Sequence, residues 1–193
     1  MNKRYMFDVD GVLADFDLAF TTLAHKMFGT PIISTVDQKE WSFRTILSTK
    51  EQSAVWDVLK NTPQWWASLE PLVSPNTFMK INYLCRHNEV YFITNRMHNL
   101  SSPGVQTQEW LIAYGITRNP RVIVTKDKGE ACKVMNIDYS LEDNWGNACA
   151  IHWMSEGTKS FLINRRYNEK ARGIIPEGII RVDTVVDFLD RTE

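Results

Sequence analysis

Asp8 and Asp10 stand two residues apart at the end of a short apolar run, Tyr5-Met6-Phe7-Asp8-Val9-Asp10-Gly11. Alternate residues of a strand share a face, so on a strand both carboxylates would point the same way. At the carboxyl end of a strand in an open α/β sheet, they would stand where such sheets place their ligands. Carboxylates this close repel each other unless a cation or a shared proton intervenes. Gly11 lets the backbone turn sharply and come close to a bound group. The combination suits Mg2+ and a phosphoryl group. A plain β-turn is the bland alternative, because Asp and Gly are common turn residues. A calcium loop of the EF-hand type needs Glu at its twelfth position; counted from Asp8, that residue is Ala19.

Three more apolar runs end in polar side chains. Tyr91-Phe92-Ile93-Thr94-Asn95-Arg96 finishes in a hydroxyl and an amide. Thr94 and the backbone N–H after it could hold a phosphate oxygen, or Thr94 could simply cap a turn. Arg96 would contact phosphate or ribose, or form a salt bridge. Thr125-Lys126-Asp127-Lys128-Gly129 supplies lysine, which neutralises phosphate and damps repulsion between carboxylates. Lys126, Lys128 and Lys133 compete for that role. Lys128 is favoured because it opens a helix and can reach back over the sheet edge. Tyr139-Ser140-Leu141-Glu142-Asp143-Asn144 ends in an acidic pair. Oxygen ligands converging from separate strands are what an octahedral Mg2+ site requires. The competing reading is a helix start capped by Asp143 or Asn144.

The elements behind these residues follow from periodicity. Strands are expected at 4–10, 89–94, 121–125, 139–142, 160–163 and 179–182. Helices are expected at 106–114, 128–135 and 144–155, and another begins at Ser74-Pro75, a cap followed by a first-turn proline. Alternation of this kind predicts an α/β fold with a mainly parallel sheet and helices on both faces. Residues 16–73 break the pattern, with helical periodicity and no convincing strand. Phe16, Phe20, Leu23 and Met27 recur at helical spacing, and four of the seven tryptophans (Trp41, Trp56, Trp65 and Trp66) lie here. The stretch is too long for a loop. It reads as a helical cap, with 1–15 and 74–193 forming the core.

The bulk properties exclude other classes. A chain of 193 residues supports one core with an inserted subdomain. The formal net charge of −1 gives no basic excess for coating a polynucleotide. Three scattered cysteines form no Cys-x-x-Cys pair, so neither a zinc knuckle nor a disulfide framework is expected. The first strand candidate leaves no room for a signal peptide, and no apolar run would span a membrane. A cytoplasmic setting is expected.

Four motifs in order, each at a predicted strand end, resemble those of the haloacid dehalogenase-like (HAD) superfamily. They are Asp8-Val9-Asp10-Gly11-Val12, the strand ending in Thr94, a lysine, and an acidic pair. The superfamily usually has Asp-Asp where this chain has Glu142-Asp143. The resemblance implies a Rossmannoid three-layer α/β/α core with a cap inserted after the first strand. It also implies a phosphatase. Asp8 would be the nucleophile and Asp10 the general acid and base, with Thr94 and Lys128 holding the phosphoryl group. Mg2+ would be held by Asp8, the carbonyl of Asp10 and Asp143, with Glu142 in a supporting role. Asp10 favours phosphoryl transfer, since a departing halide needs no proton.

Within the superfamily the chain most resembles the 5'(3')-deoxyribonucleotidases. That likeness rests on Asp8-Val9-Asp10-Gly11-Val12-Leu13-Ala14-Asp15-Phe16, the aromatic insert, Thr107-Gln108-Glu109-Trp110-Leu111 and Arg166-Tyr167-Asn168. It implies a nucleoside monophosphate as substrate, with cap rings stacking on the base. Phe16, Phe20, Trp41, Trp65 and Trp66 are the candidates, and Asn95 and Arg96 would add polar contacts. Helical neighbours cannot both face inward, so Trp65 or Trp66 should face the cleft or solvent. A sugar phosphate or a polynucleotide 3'-phosphate end is the first alternative, the latter weakened by the missing basic charge. A non-catalytic binding protein is the second, and a homodimer through the aromatic insert is the one assembly considered.

Overall fold

The computed structural model describes residues 2–97, 100–118, 120–171 and 176–192, with the side chain of Arg44 left aside. In chain order the regular elements are β1 (Arg4–Phe7), α1 (Phe16–Phe28), α2 (Thr49–Lys60), α3 (Pro75–His87), β2 (Glu89–Thr94), α4 (Pro103–Ala113), β3 (Arg121–Val124), α5 (Lys128–Val134), β4 (Tyr139–Glu142), α6 (Trp145–Met154), β5 (Lys159–Ile163), β6 (Ile180–Val182) and α7 (Val185–Asp190). Short 3-10 turns span Phe43–Thr45, Trp65–Ala67 and Arg166–Ala171. Helix α7 has no counterpart among the expected helices.

The six strands form one parallel sheet in the order β3-β2-β1-β4-β5-β6. From β1 the chain moves outward to β2 and β3, then crosses back to β4 on the other side of β1 and continues outward to β5 and β6. The strand order therefore reverses at β1, and a crevice opens beyond its carboxyl end. Phe7 pairs with Phe92 and Leu141, which brings the ends of β1, β2 and β4 level. The central strands are apolar and buried on both faces, as helix-covered parallel sheets require.

Strand β1 is shorter than its apolar run suggests. Pairing stops at Phe7, apart from Asp8 N–H donating to Leu141 O at 2.9 Å. The Val9 carbonyl then accepts from both Leu13 and Ala14 N–H at 2.8 Å, and Gly11 takes φ 81°. The tight turn outcompetes continued pairing. Asp8 and Asp10 consequently lie in a loop, and strand alternation does not set their directions.

Residues 16–73 contain α1, α2 and two 3-10 turns. Asp15 caps α1, its Oδ1 accepting from Leu18 N–H at 3.0 Å and from Thr35 N–H at 2.9 Å. Gly29 ends the helix at φ 69°. The segment leaves and returns side by side: Asp15 N–H donates to Glu70 O, and Leu72 N–H to Leu13 O, both at 2.8 Å. One buried cluster joins its rings Phe20, Phe43 and Trp66 to Phe7, Phe92 and Leu141 of the sheet. Trp110 of α4 ties down the returning chain through Nε1 to Leu69 O at 2.7 Å.

Candidate active site

Lys128, the first residue of α5, reaches back over the sheet edge. Its Nζ lies 2.7 Å from Asp8 Oδ1 and 2.5 Å from Glu142 Oε1. Lys126 and Lys133 are exposed and outside the cleft. Glu142 Oε2 accepts from Asn144 N–H at 3.3 Å, holding the carboxyl at the end of β4. Asp143 follows, its Oδ2 accepting from the Tyr167 hydroxyl. Its backbone carbonyl accepts from Asn168 Nδ2 at 2.8 Å.

Asp8, Glu142 and Asp143 each bring a carboxylate oxygen within 4.8 Å of the others, and all three are buried. One ammonium faces three carboxylates, leaving about two negative charges uncompensated if all ionise. Burial, then repulsion from Asp8, pushes Glu142 up to about 7. Asp143 is raised well above the ordinary carboxylate range by burial, then by Asp8 and Glu142. For Lys128 the carboxylates outweigh the opposing effect of burial and hold the ammonium above its usual value. Asp143 Oδ1 is buried without a hydrogen-bond partner among the described residues. A hard divalent cation fits this set, because the donors are oxygens and the excess charge is negative.

Asp10 faces the other wall of the crevice. Its Oδ2 accepts from Thr94 Oγ1 at 3.2 Å and Arg96 Nε at 2.9 Å, and its Oδ1 from Arg96 Nη2 at 2.7 Å. Arg96 is thus a salt-bridge residue. It is 2% exposed, does not line the cleft, donates to Thr107 Oγ1 at 2.8 Å and lies 4.9 Å over the Trp66 ring. Of the two roles expected for it, substrate contact or a salt bridge, the salt bridge is the one seen, and it orients Asp10. Thr94 and Asn95 both line the cleft.

The cleft is a cavity of about 320 Å³ lined by Asp8, Asp10, Lys128 and Asp143 together with residues of the 16–73 segment. Phe16, Trp41 and Trp66 line it, joined by Phe43 and Trp56, which were not among the expected contacts. Phe16 stacks 5.7 Å from Trp56 and 5.9 Å from Trp66. Phe20 and Trp65 do not line it. Trp65 and Trp66 are both buried, and of the two it is Trp66 that faces the cleft, as one of the pair was expected to. They sit in a 3-10 turn wedged against α4, where Trp66 N–H donates to Gln106 Oε1 at 3.0 Å. α-Helical facing rules do not apply there.

Asp17, Gln38 and Tyr167 also line the cleft, and no spacing in the sequence marks the first two. Burial, opposed by a Thr35 hydrogen bond and reinforced by Asp15 and Asp10, pushes Asp17 from 3.8 up to about 7. A carboxyl with a raised folded pKa stabilises fully below its unfolded pKa, and that contribution is lost as pH rises through the folded value. Wild-type stability should therefore fall between about pH 4 and pH 7 relative to Asp17→Asn, by on the order of a few kcal/mol. Melting temperatures of both proteins across that range check this; parallel curves would refute it.

The fold is that of the haloacid dehalogenase-like hydrolases. The chain is similar in structure to one such hydrolase from Burkholderia xenovorans LB400, at 11% identity and TM-score 0.63 over 100% of this chain and 97% of that one. It is similar also to one from Bacteroides fragilis, at 13% identity and TM-score 0.61, covering 97% and 99%. D,D-heptose 1,7-bisphosphate phosphatase from B. bronchiseptica, complexed with magnesium and phosphate, matches at 13% identity and TM-score 0.54, covering 98% and 97%. At these identities the likeness is one of fold. Residues 3–172 match the family described as 5' nucleotidase, deoxy (pyrimidine), cytosolic type C protein, and the chain belongs to that family. As a member it is a phosphatase. Compared by sequence with curated proteins, it has no significant match. No helix among the described residues is long and apolar enough to cross a membrane.

Proposed function

We propose that the protein is a Mg2+-dependent 5'-nucleotidase that dephosphorylates deoxyribonucleoside monophosphates through an aspartyl-phosphate. One observation carries this reading: a single cleft is lined both by Asp8, Asp10, Asp143 and Lys128 and by stacked aromatic rings. A nucleotide calls for both, charged groups for its phosphate and a ring face for its flat base. Stacking on such rings is worth about 1–3 kcal/mol per base.

Asp8 Oδ1 is held by Lys128 and by Val9 N–H at 2.7 Å, so Oδ2 is the oxygen that attacks phosphorus. As that bond forms, the ester P–O bond breaks, and Asp10 protonates the leaving oxygen. Asp10 then takes a proton from the water that hydrolyses the aspartyl-phosphate, restoring Asp8. Arg96 holds Asp10 in place through both steps, which frees the Thr94 hydroxyl to turn to substrate. Lys128 and Thr94 hold phosphoryl oxygens, and Asn95 is at hand beside them. Asp8, Asp143 and the Asp10 carbonyl are the groups that would hold Mg2+, with Glu142 anchoring Lys128. When bound, Mg2+ offsets charge on the transferring group.

Phosphate release measured with Mg2+ across 5'- and 3'-mononucleotides, deoxy and ribo, and sugar phosphates tests the reading. Deoxynucleoside monophosphates should be turned over fastest, and Asp10→Asn should lower kcat by about 10²–10⁴-fold. Turnover confined to sugar phosphates would reject the substrate assignment, and release from none of them would reject the nucleotidase.

A further inference from the structure

Asp143 is gripped twice by the 3-10 turn Arg166–Ala171. The Tyr167 hydroxyl donates to Oδ2, and Asn168 Nδ2 donates to the backbone carbonyl at 2.8 Å. Asn168 Nδ2 also meets Ile163 O at 2.8 Å, and its Oδ1 accepts from Arg181 Nη2 at 2.5 Å, so the turn is fastened to β5 and β6. Arg165, just before it, donates through Nε to Gly11 O at 2.9 Å. A Cβ on Gly11 would collide with Asp143 Oδ2 and crowd the Tyr167 hydroxyl, so the loop after β1 closes over this hydrogen bond.

The bond also selects an oxygen. With Oδ2 engaged, Oδ1 is the carboxylate atom left without a partner among the described residues. Hydrogen bonds from neighbouring groups to a ligating carboxylate fix its orientation and tune its affinity. The other side of Tyr167 belongs to the cap. Trp41 meets its ring edge-on, at 5.3 Å and 70°. Two ion pairs join the same two segments, Glu40 with Lys170 and Asp37 with Arg166 at 4.0 Å. Both are exposed and contribute little in water; the aromatic contact is the mechanical link.

We propose that Tyr167 is a positioning residue that presents Asp143 Oδ1 to the divalent cation, and that Trp41 seats Tyr167 from the cap side. This rests on the reading of Asp143 as a metal ligand. Cap placement and metal affinity are thereby coupled through one ring.

Calorimetric titration of Mg2+ into metal-free wild type, Asp143→Asn, Tyr167→Phe, Trp41→Ala and the Tyr167→Phe/Trp41→Ala double variant tests it, with melting temperatures in EDTA reporting folding alone. Tyr167→Phe should raise the Mg2+ Kd about 10–100-fold while melting close to wild type in EDTA. Trp41→Ala removes no group near the cation and should raise Kd about two- to tenfold. It should add nothing to Tyr167→Phe. Wild-type Mg2+ affinity in Tyr167→Phe would overturn the proposal; so would additive effects in the double variant, as regards Trp41. Failure of wild type to bind Mg2+, or unchanged binding in Asp143→Asn, would instead overturn the metal-ligand reading itself. Should Tyr167→Phe not fold, Trp41→Ala decides alone, since Trp41 is 59% exposed and its loss should leave the fold intact.

Discussion

Asp8→Asn should lose phosphatase activity by about 10⁴-fold or more while remaining folded. The amide is a poor nucleophile and a weaker ligand for a hard cation, so both bond formation and charge compensation fail together. Folding should survive, because Asp8 is one of three buried carboxylates crowding a single lysine and Lys128 keeps Glu142 at 2.5 Å. Steady-state phosphate release and melting temperature check the two halves. Wild type should also show a burst of leaving group before steady state wherever hydrolysis of the aspartyl-phosphate limits turnover. A variant retaining activity within tenfold of wild type would mean that water attacks phosphorus directly and Asp8 is no nucleophile.

Lys128→Met should cost about 3–5 kcal/mol of stability near pH 8, the penalty for leaving buried charge without its partner. The side chain is 3% exposed, and it is the only cation paired with Asp8 and Glu142 among the described residues. The sign of the pH dependence follows from the carboxylates. Glu142 is pushed up to about 7, and Asp143 well above the usual range, even with the lysine present. Without it they are raised further. Groups with raised folded pKa values stabilise at low pH and lose that contribution as pH rises. The deficit should therefore shrink toward about pH 5, and saturating Mg2+ should restore part of it at pH 8. Urea unfolding at both pH values, with and without Mg2+, measures this. A deficit equal at both would identify lost packing, not charge, as the cause.

The core architecture was legible in the sequence because its signals are local: apolar runs ending in polar groups, and helices announced by caps such as Ser74-Pro75. The carboxylate–lysine cluster was legible for the same reason, since each member ends a strand or opens a helix. The end of β1 was misplaced because Val9 prolongs the apolar run, while the turn that ends pairing depends on carbonyl and N–H partners that composition does not show. Arg96 displays a charge but not its partner, which lies 86 residues away in sequence. Trp66 does face the cleft and Trp65 does not, although the pair sits in a 3-10 turn and not in the α-helix from which the facing rule was argued. Asp17 and Gln38 enter the cleft only once residues 16–73 have folded over it, an event that leaves no local pattern, whereas Tyr167 belongs to the motif Arg166-Tyr167-Asn168, whose role only the folded turn after β5 shows.

The buried cluster that runs unbroken from the sheet into the cap ties together two properties usually treated apart. Phe43 and Trp66 belong to that cluster, with Phe16 and Trp56 packed against it, and the same four rings form the cleft wall. A substitution at any of these four rings that reshapes what the cleft accepts is also a substitution in or against the core. Domains of this size are folded by a margin of only about 5–15 kcal/mol, and one large-to-small core change costs several of these. Substrate range in this chain therefore evolves on a short tether: new specificity at these rings has to be matched by stabilising changes elsewhere in the fold.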